Sequence, residues 1–429
     1  MKATDGHIEE TLVTLISSLE SASFQLKTHA NPTLEDALHS TEKLPDAAVS
    51  QLASKALDLL SEVQLMLEPG QLVLADHFMG YMNTKALVAA IDLNIPDILA
   101  HGPKAVATLA EEAGARPDRF RQIMRTLSNN GIFLYDTHKD SYSNNATSTL
   151  LTTNHWTQWR NWVELYGNEF YDMARGLPES LKKDVLRCPA QVNFDTDDSM
   201  FKYFTDQGWM PKFFKTLSGG AIAQAPGILE DYPWHEVAEH TVLDLGGGSG
   251  GLIALLLRKH SNMKGAVLDL AKSIELCRAN FHAPDGQYAD VGGQIVEEHL
   301  ITGNFMEEVP SFEVYTMKWC LHDWSDEDAL VILKNIRRAI KRGEHSRLIV
   351  LESVLKDGHM GRMARYGDLN MMIAVGGRER DEQQWRNLAS QSGWRLERIC
   401  ALRNAWPCAL DFRPMWDSQE EDLNTDKVL

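Results

Sequence analysis

The stretch VLDLGGGSGG, Val242–Gly251, decides the fold class of this chain. An apolar, strand-like run ends in glycines, and the helical run LIALLLRKH follows it. Gly246, Gly248 and Gly251 form the GxGxxG pattern, which lets the backbone approach a ligand at the carboxyl end of a strand. Nicotinamide, flavin and S-adenosylmethionine sites all use similar patterns. The stretch therefore predicts a nucleoside-binding α/β fold without selecting its ligand.

The chain around this stretch alternates between strand-like and helical segments. The runs KGAVLDLAKS, FEVYTMKWCLHDW and RLIVLESVL each contain a short apolar core, and helical sequence separates them. Such runs are typical of parallel strands that are buried on both faces. Residues 231–416 are therefore predicted to form a doubly wound, Rossmann-like α/β domain.

The sequence before this domain is mainly helical. Residues 1–70 are predicted to form a helical arm that ends at Pro69-Gly70. Its apolar residues recur at helical spacing: Leu52, Ala56, Leu59, Val63 and Leu67. Residues 71–155 combine short helices with a hairpin at IFLYD and SYSN, which is typical of a winged helix. Residues 156–230 are expected to be a helical linker that contributes to a substrate pocket, and residues 417–429 a polar tail.

Charge and composition exclude several function classes. The formal net charge is −18, and residues 71–155 hold seven Lys or Arg against eight Asp or Glu. A winged helix that pairs subunits or walls off a pocket is therefore favoured over one that binds nucleic acid. No apolar run approaches the roughly 20 residues that span a bilayer, so no membrane partner is expected.

The start of the sequence and its cysteines predict the compartment. MKATDGHIEETLVTL lacks the features of a secretory signal. The five cysteines form no CxxC pair, which favours a cytoplasmic chain with reduced thiols. His235 and His240 are five residues apart, whereas a zinc helix needs four, so no metal is expected.

Two acids near the glycine turn favour one cofactor over the others. Asp244 precedes Gly246 by two residues, where a carboxylate would repel a pyrophosphate but suit an ammonium group. S-adenosylmethionine carries an ammonium and no phosphate. Asp269 ends the next strand, where a carboxylate can accept both ribose hydroxyls. A loop or helix-capping role remains the alternative for Asp244, and a structural role for Asp269.

The stretch MKWCLHDWSDEDAL, Met317–Leu330, places a histidine before a cluster of acids. His322 is predicted to emerge at the carboxyl end of a strand, on the side where ligands bind. Ser325 can cap the following helix, and Asp328 can complete a capping box. The acids also complement the positive end of that helix. Local structure therefore accounts for most of the acids but not for His322, whose alternative role is that of a core histidine.

Four segments together resemble the S-adenosylmethionine-dependent O-methyltransferases of small aromatic molecules, of the caffeic-acid and fungal polyketide type. They are LDLGGGSGG, MKWCLHDWSDEDALVILKNIRRAI, VLESVL and GGRERDEQQW. The likeness covers about residues 75–415, in the family's order of winged-helix dimerisation domain, helical linker and methyltransferase fold. It implies a homodimer, S-adenosyl-L-methionine as cofactor, and an aromatic or polyketide-like substrate.

The resemblance also implies roles for individual residues. His322 matches the general base, and Glu352 and Glu379 match the carboxylates that flank it. Neighbouring carboxylates raise the basicity of an imidazole, which an ordinary histidine needs in order to deprotonate a phenol. The predicted cofactor contacts are Asp244, Gly246, Gly248, Asp269, Leu270, Asn304, Phe305 and Lys318.

One predicted cofactor contact departs from the family pattern. Asn304 stands where many relatives have an acid for the adenine amino group, although its amide oxygen can still accept that hydrogen bond.

The predicted substrate contacts are Trp209, Met210, Phe213, Asp323, Met371 and Met372. The aromatic residues and methionines among them could equally be core residues, because such stripes at helical spacing usually are.

Two alternative functions remain open. A pericyclase or cyclase on this fold would use the bound cofactor without methyl transfer, but the presence of His322, Glu352 and Glu379 favours methylation. A non-enzymatic winged-helix regulator is disfavoured by the acidic surface and the intact glycine turn. The sequence does not distinguish O-methylation from N- or S-methylation.

Overall fold

The computed structural model describes residues 2–416, without the side chains of residues 2–5 and 29–32. The polar tail predicted for residues 417–429 lies outside the described residues. None of the described helices has both the length and the apolar character that crossing a bilayer requires. All five cysteines are unpaired thiols.

The first part of the chain is helical, as its apolar spacing predicts. Its elements are α1 (Lys2–Gln25), a π-helical turn (Leu26–Ala30), α2 (Asn31–Leu38), α3 (Ala47–Leu67) and α4 (Gly70–Met79). Asp46 caps α3 by accepting a hydrogen bond from the backbone N–H of Val49 at 2.9 Å. Pro69-Gly70 separates α3 from α4, so helix α3 ends where the sequence indicates, while the boundary of the arm at residue 70 stays a prediction.

The next part is the predicted winged helix. Its elements are α5 (Tyr81–Asp92), α6 (Ile95–Leu99), β1 (Lys104–Ala105), α7 (Val106–Glu112), α8 (Pro117–Asn129), β2 (Phe133–Asp136), β3 (Ser141–Asn144) and α9 (Ala146–Thr149). Strands β2 and β3 form the predicted hairpin, and β1 pairs antiparallel with β3. Pro117 begins α8 because its fixed φ and missing N–H suit the first helical turn.

A set of helices then leads to the α/β domain and supplies much of one cavity wall. They are α10 (Trp159–Tyr166), α11 (Glu169–Met173), a 3₁₀ turn (Ala174–Gly176), α12 (Leu177–Ser180), α13 (Pro189–Phe194), α14 (Met200–Asp206), α15 (Met210–Asp231) and a second 3₁₀ turn (Trp234–Val237). Their side chains form an aromatic-rich cluster that includes Phe170, Phe204 and Phe213.

The α/β domain begins at the glycine stretch. In chain order it contains β4 (Thr241–Leu245), α16 (Gly251–Lys259), β5 (Lys264–Asp269), α17 (Ala271–His282), a 3₁₀ turn (Ala289–Gln294), β6 (Ile295–Thr302), β7 (Val314–Lys318), a 3₁₀ turn (Leu321–Asp323), α18 (Asp326–Ala339), β8 (Arg347–Glu352), β9 (Val354–Leu355), α19 (Arg362–Val375), β10 (Arg380–Asp381), α20 (Glu382–Gln391), β11 (Trp394–Ala401) and β12 (Cys408–Pro414).

The main sheet has the strand order β11-β12-β8-β7-β4-β5-β6. Strands β4 to β8 pair in parallel, whereas β12 pairs antiparallel with both β8 and β11. Hydrophobic clusters cover both faces of the sheet. The doubly wound α/β prediction is confirmed, and the carboxyl ends of β4, β5, β7 and β8 meet at one edge.

Candidate active site

The glycine turn after β4 forms one side of a large cavity. Gly246 and Gly248 have φ of +67° and +58°, a region that favours glycine, and both line the cavity. A Cβ on Gly246 would lie 3.4 Å from the Cys320 sulfur and 3.5 Å from the Phe305 ring. Gly250, which the motif does not include, has φ of +86° and precedes α16. The turn thus leaves its backbone exposed to a ligand.

Asp269, at the end of β5, lines the same cavity. Its Oδ2 accepts from the Gly248 N–H at 2.9 Å, and its Oδ1 accepts from the Leu270 N–H at 2.6 Å. A carboxylate offers about four lone-pair sites, so these two bonds leave capacity for two ligand hydroxyls. Leu270, also in the wall, is 64% exposed.

Asp244 and Lys318 are placed behind the cavity wall. Asp244 is buried, and a Cβ on Gly247 would lie 2.8 Å from its Oδ2. Burial raises the pKa of Asp244 to about 7, although Lys318 acts in the opposite direction. Burial lowers the pKa of Lys318, while Asp244 and Glu352 oppose that change. The direct cofactor contacts expected of Asp244 and Lys318 stay predictions.

Asn304 and Phe305 lie in the wall beside the glycine turn. The Asn304 side chain stabilises its own turn: Oδ1 accepts from the Met306 N–H at 3.0 Å, and Nδ2 donates to Glu307 at 3.0 Å. The amide oxygen retains a second lone pair for an adenine amino group. The Phe305 ring packs edge-on against Trp324, with 6.2 Å between ring centroids.

His322 reaches the cavity through a tight turn after β7. Trp319 adopts φ of +50°, which is uncommon for a residue other than glycine, and the 3₁₀ turn Leu321–Asp323 follows. Glu352, the last residue of β8, stabilises this turn. Its Oε1 accepts from the backbone N–H of Cys320 at 2.8 Å and of Leu321 at 2.9 Å. One carboxylate therefore links the ends of two parallel strands.

A buried arginine joins the Glu379 segment to the His322 turn. Arg380 donates to the carbonyl oxygens of Leu321 and Trp324 at 3.0 and 2.8 Å, and to Asp326 at 2.8 Å. Sequence reasoning missed this role because it assigned Asp326 to the helix dipole alone. The spacing of the GGRERD motif offered no signal for it.

A close backbone contact also joins these segments. The Arg378 N–H donates to the His322 carbonyl at 2.8 Å. A Cβ on Gly377 would lie 2.2 Å from that same oxygen. Only glycine fits there, which accounts for the second glycine of GGRERD.

The predicted cap on α18 is present with one difference. The Ser325 hydroxyl accepts from the Asp328 N–H at 3.2 Å, as expected of an N-cap. However, the Asp328 carboxylate accepts from the Ser325 hydroxyl at 2.9 Å instead of from its backbone N–H. The reciprocal half of the predicted capping box was therefore wrong, because the hydroxyl is the donor that lies nearer.

His322 and the two glutamates form a compact buried cluster. Nδ1 of His322 lies 2.9 Å from Oε1 of Glu379 and 3.3 Å from Oε2 of Glu352. The imidazole is 8% exposed and lines the cavity. Its Nε2 lies 3.7 Å from Asp323. Both glutamates approach the same ring nitrogen, so Nε2 is the nitrogen that a substrate can approach.

The electrostatics of the cluster favour a protonated imidazole. Burial lowers the pKa of His322, but Glu352 and Glu379 outweigh burial and raise this pKa to about 9. Burial raises the pKa of Glu352 to about 7, against the lowering effect of His322. One imidazole nitrogen and one oxygen from each carboxylate lie within 4.8 Å of one another, close enough to share a proton or hold a metal ion. The bond to Glu379 and the backbone bonds to Glu352 favour proton sharing.

The cavity measures about 1280 Å³, and its walls are rich in aromatic side chains. Of the predicted substrate contacts, Phe213, Asp323 and Met371 line it. Trp209 and Met210 instead pack on the helical cluster, and Met372 is half-buried outside the lining. Sequence reasoning missed many wall residues. The high aromatic content of residues 156–230 could have indicated those in that segment, whereas the later ones gave no signal in the sequence. The missed residues include Trp162, Tyr166, Phe170, Tyr171, Phe214, Trp319, Met363, Tyr366, Asn370 and Trp406.

Comparison with known proteins gives the family. A model of the O-methyltransferase domain matches residues 181–395, and a model of the O-methyltransferase dimerisation domain matches residues 75–154. The O-methyltransferase aclM of Aspergillus oryzae is 52% identical over 95% of this chain and 95% of its own length. The chain belongs to the S-adenosylmethionine-dependent O-methyltransferases. The resemblance noted in the sequence is thereby confirmed.

Other O-methyltransferases agree in sequence and fold. The O-methyltransferase verK of Clonostachys rogersoniana is 46% identical over 95% of this chain and all of verK. CalO1, a methyltransferase of calicheamicin biosynthesis solved with S-adenosylhomocysteine, has a TM-score of 0.69 and 26% identity. That match covers 80% of this chain and 98% of CalO1. The names aclM and verK both denote O-methyltransferases, which does not favour the pericyclase alternative.

The cavity residues fit the cofactor of this O-methyltransferase. The glycine turn leaves room for close approach, and the Asp269 carboxylate retains acceptors for ribose hydroxyls. The predicted cofactor, S-adenosyl-L-methionine, is confirmed by the family.

Proposed function

We propose that this enzyme methylates a hydroxyl of an aromatic or polyketide-like secondary metabolite, with His322 as the general base. The observation that carries the proposal is the position of His322 at the cavity wall, with Nδ1 held by Glu379 and Glu352. This arrangement leaves Nε2 to accept the hydroxyl proton. Glu379 and Glu352 orient the ring and stabilise the imidazolium that forms.

The raised basicity makes the proton transfer less costly. A phenol has a pKa of about 10 and an ordinary imidazole about 6.5, so transfer between them is uphill by about 5 kcal/mol. Because the carboxylates raise the pKa of His322 to about 9, that cost falls to about 1.4 kcal/mol. The imidazole must first lose its own proton near neutral pH, so we expect activity to rise with pH.

The apolar walls support the transfer step itself. Bound S-adenosylmethionine supplies an electrophilic sulfonium methyl group. Aromatic side chains such as Phe213 and Trp319 keep water away from the acceptor oxygen. Low local polarity strengthens the attraction between opposite charges, which favours a transition state in which charge is neutralised.

The secondary-metabolite class rests on the relatives. CalO1 acts in calicheamicin biosynthesis. A relative from Lysobacter antibioticus that is 26% identical over 76% of this chain is a phenazine O-methyltransferase. Both names support a secondary-metabolite acceptor, and the name of the phenazine enzyme supports a polycyclic aromatic one.

Methyl-label transfer tests the proposed base. The protein is incubated with methyl-labelled S-adenosylmethionine and a panel of phenols, and His322→Ala is compared with the wild type. Loss of a general base lowers turnover by about 10²- to 10⁴-fold. We expect a loss of this size in His322→Ala while cofactor affinity is retained. His101→Ala, a change outside the cavity, is the control. Unchanged transfer in His322→Ala would remove His322 from the mechanism.

We also propose that the enzyme is a homodimer whose interface extends into the N-terminal arm. The dimerisation-domain match begins at residue 75, within α4, the helix that follows the arm. The helices α3 and α4 bury none of their residues within the described chain. Their exposed apolar side chains include Leu52, Leu59, Leu65, Met66, Leu72, Leu74 and Phe78. A patch of this size, next to a known dimerisation domain, is typical of a subunit interface.

A further inference from the structure

The charge of the cavity wall is one-sided. The residues that line it include the carboxylates of Asp269, Asp323 and Glu379, but neither lysine nor arginine among the residues that the structure describes. Lys318 interacts electrostatically with Asp244 and Glu352 and does not line the wall. The imidazolium of His322 is the cation of this wall, and Glu379 and Glu352 already pair with it. An acceptor with its own carboxylate would therefore meet further carboxylates and no unpaired cation among the described wall residues, in a poorly hydrated site.

A neutral polar pair lies in the aromatic part of the wall. Tyr166 stacks on Trp162 and on Phe170, with ring centroids 5.3 and 4.6 Å apart. Burial raises the pKa of the Tyr166 phenol well above its usual value, so its hydroxyl stays neutral. The Asn370 side-chain amide donates to this hydroxyl at 3.4 Å. Tyr166 belongs to α10 and Asn370 to α19, and both residues line the cavity.

This pair retains hydrogen-bonding capacity. The Tyr166 oxygen accepts from Asn370, so its own proton remains available. Among the side chains and carbonyl groups that the structure describes, none accepts that proton, and none of the described groups donates to the Asn370 Oδ1. The aromatic part of the wall thus offers a neutral donor and a neutral acceptor side by side.

The volume of the cavity indicates how large the methyl acceptor can be. Pockets for a single small molecule are commonly about 300–1,000 Å³. This cavity, at about 1280 Å³, has room for a nucleoside cofactor together with an acceptor larger than a simple phenol.

We propose that the methyl acceptor is an uncharged polycyclic aromatic molecule, whose carbonyl or hydroxyl group is recognised by Tyr166 and Asn370. This inference rests on the methyl transfer proposed above and specifies its substrate class. The two residues determine specificity, and the carboxylates of the wall exclude anionic acceptors.

Binding of three related probes tests the proposal without turnover. The probes are methyl 6-hydroxy-2-naphthoate, which is neutral and carries a carbonyl, the 6-hydroxy-2-naphthoate anion, and 2-naphthol, which lacks the carbonyl. Their dissociation constants are measured by calorimetry on protein saturated with S-adenosylhomocysteine. We expect the ester to bind at least 10-fold more tightly than the anion.

Two variants separate recognition from packing. Tyr166→Phe keeps the ring stack but removes the donor, so we expect it to weaken ester binding about 3- to 10-fold and leave 2-naphthol unchanged. Asn370→Lys supplies a counter-ion and should reverse the preference between ester and anion. Phe214→Leu, which changes only an apolar wall residue, should affect the three probes equally.

Several results would overturn the proposal. They are an anion that binds as tightly as the ester, a Tyr166→Phe variant that weakens all probes alike or none of them, and failure of all three probes to bind. Because these measurements need no methyl transfer, they are independent of His322→Ala. A failed base assignment would leave them unchanged.

Discussion

At the scale of single residues, the site depends on how one imidazole is held. Glu379 contacts Nδ1 of His322 at 2.9 Å, and Glu352 contacts the same atom at 3.3 Å while accepting two backbone N–H groups. Glu352 therefore supports both the charge of the ring and the turn that carries it. Glu379 acts mainly on the ring, which makes it the better residue to alter.

Glu379→Gln should weaken the base without removing the turn. Loss of the negative charge lowers the pKa of His322, since a carboxylate favours the imidazolium. We expect kcat to fall about 10- to 100-fold at high pH and the midpoint of the pH profile to move downward. Cofactor affinity should not change. Glu382→Gln, on the exposed face of α20, is the matched control. An unshifted midpoint would show that Glu379 does not tune the ring.

The sequence could predict which residues form the site, but not which of them face the cavity and which are buried behind its wall. His322 follows a strand, and its two glutamates lie at other segments of the same edge, so sequence spacing and family resemblance bring them together. Whether Asp244 faces the ligand or lies behind Gly247 depends on a glycine turn with positive φ. Whether Trp209 lines the cavity or packs in the core depends on the rotation of one helix.

At the scale of elements, α19 forms part of the cavity wall, and the N-terminal arm contacts the loop before it. Asp58 of α3 accepts from the Met360 N–H at 2.8 Å, at the start of α19, whose own N-cap residue is Gly361. Arg365 binds the carbonyl oxygens of Lys356 and Gly358 in the same loop. The arm therefore holds the loop that leads into α19.

Asp58→Ala should loosen this wall. Loss of a hydrogen bond of this kind costs about 0.5–1.5 kcal/mol. We expect KM for the methyl acceptor to rise about 2- to 10-fold, and residues 356–361 to be cleaved faster by protease, while cofactor affinity is unchanged. Asp58→Asn retains an oxygen acceptor, so we expect its KM and its rate of cleavage to stay close to those of the wild type. Wild-type KM in Asp58→Ala would contradict the role assigned to this contact.

The elements themselves were predictable where their signals are local. The start of α8 at Pro117 and the break at Pro69-Gly70 follow from the residues at those positions. The antiparallel placement of β11 and β12 does not, because strand direction in the sheet depends on distant pairing. The role of Arg380 was hidden for the same reason: its partners lie 54 to 59 residues away in the chain.

At the scale of the whole molecule, the arm joins the family's dimerisation domain to the cavity wall. Its apolar residues are exposed in a single chain, whereas Asp58 contacts the α/β domain of that same chain. Dimerisation would therefore cover the exposed face of α3 and hold the helix that secures α19. The family model supports the pairing of subunits.

Charged residues on the arm should weaken the dimer. Leu59 and Met66 are seven residues apart on one face of α3, with 54% and 70% of their surface exposed. Because burial of such a side chain contributes about 1.5–3 kcal/mol, we expect Leu59→Asp with Met66→Asp to raise the dimer dissociation constant at least 100-fold. Analytical ultracentrifugation measures it, with Gln51→Asp as the control. A wild type that is monomeric at micromolar concentration would contradict the dimer.

The most direct measurement of the central claim is the dependence of kcat/KM on pH. His322 has a raised pKa and acts as a base only in its neutral form, so activity is lowest where the imidazole is protonated. We expect kcat/KM to rise about tenfold per pH unit from pH 7, with a midpoint near pH 9 and a plateau above it. That midpoint should stay the same for two acceptors whose hydroxyl groups differ in acidity. A flat profile, or a midpoint near 6.5, would show that no carboxylate-paired imidazole removes the proton.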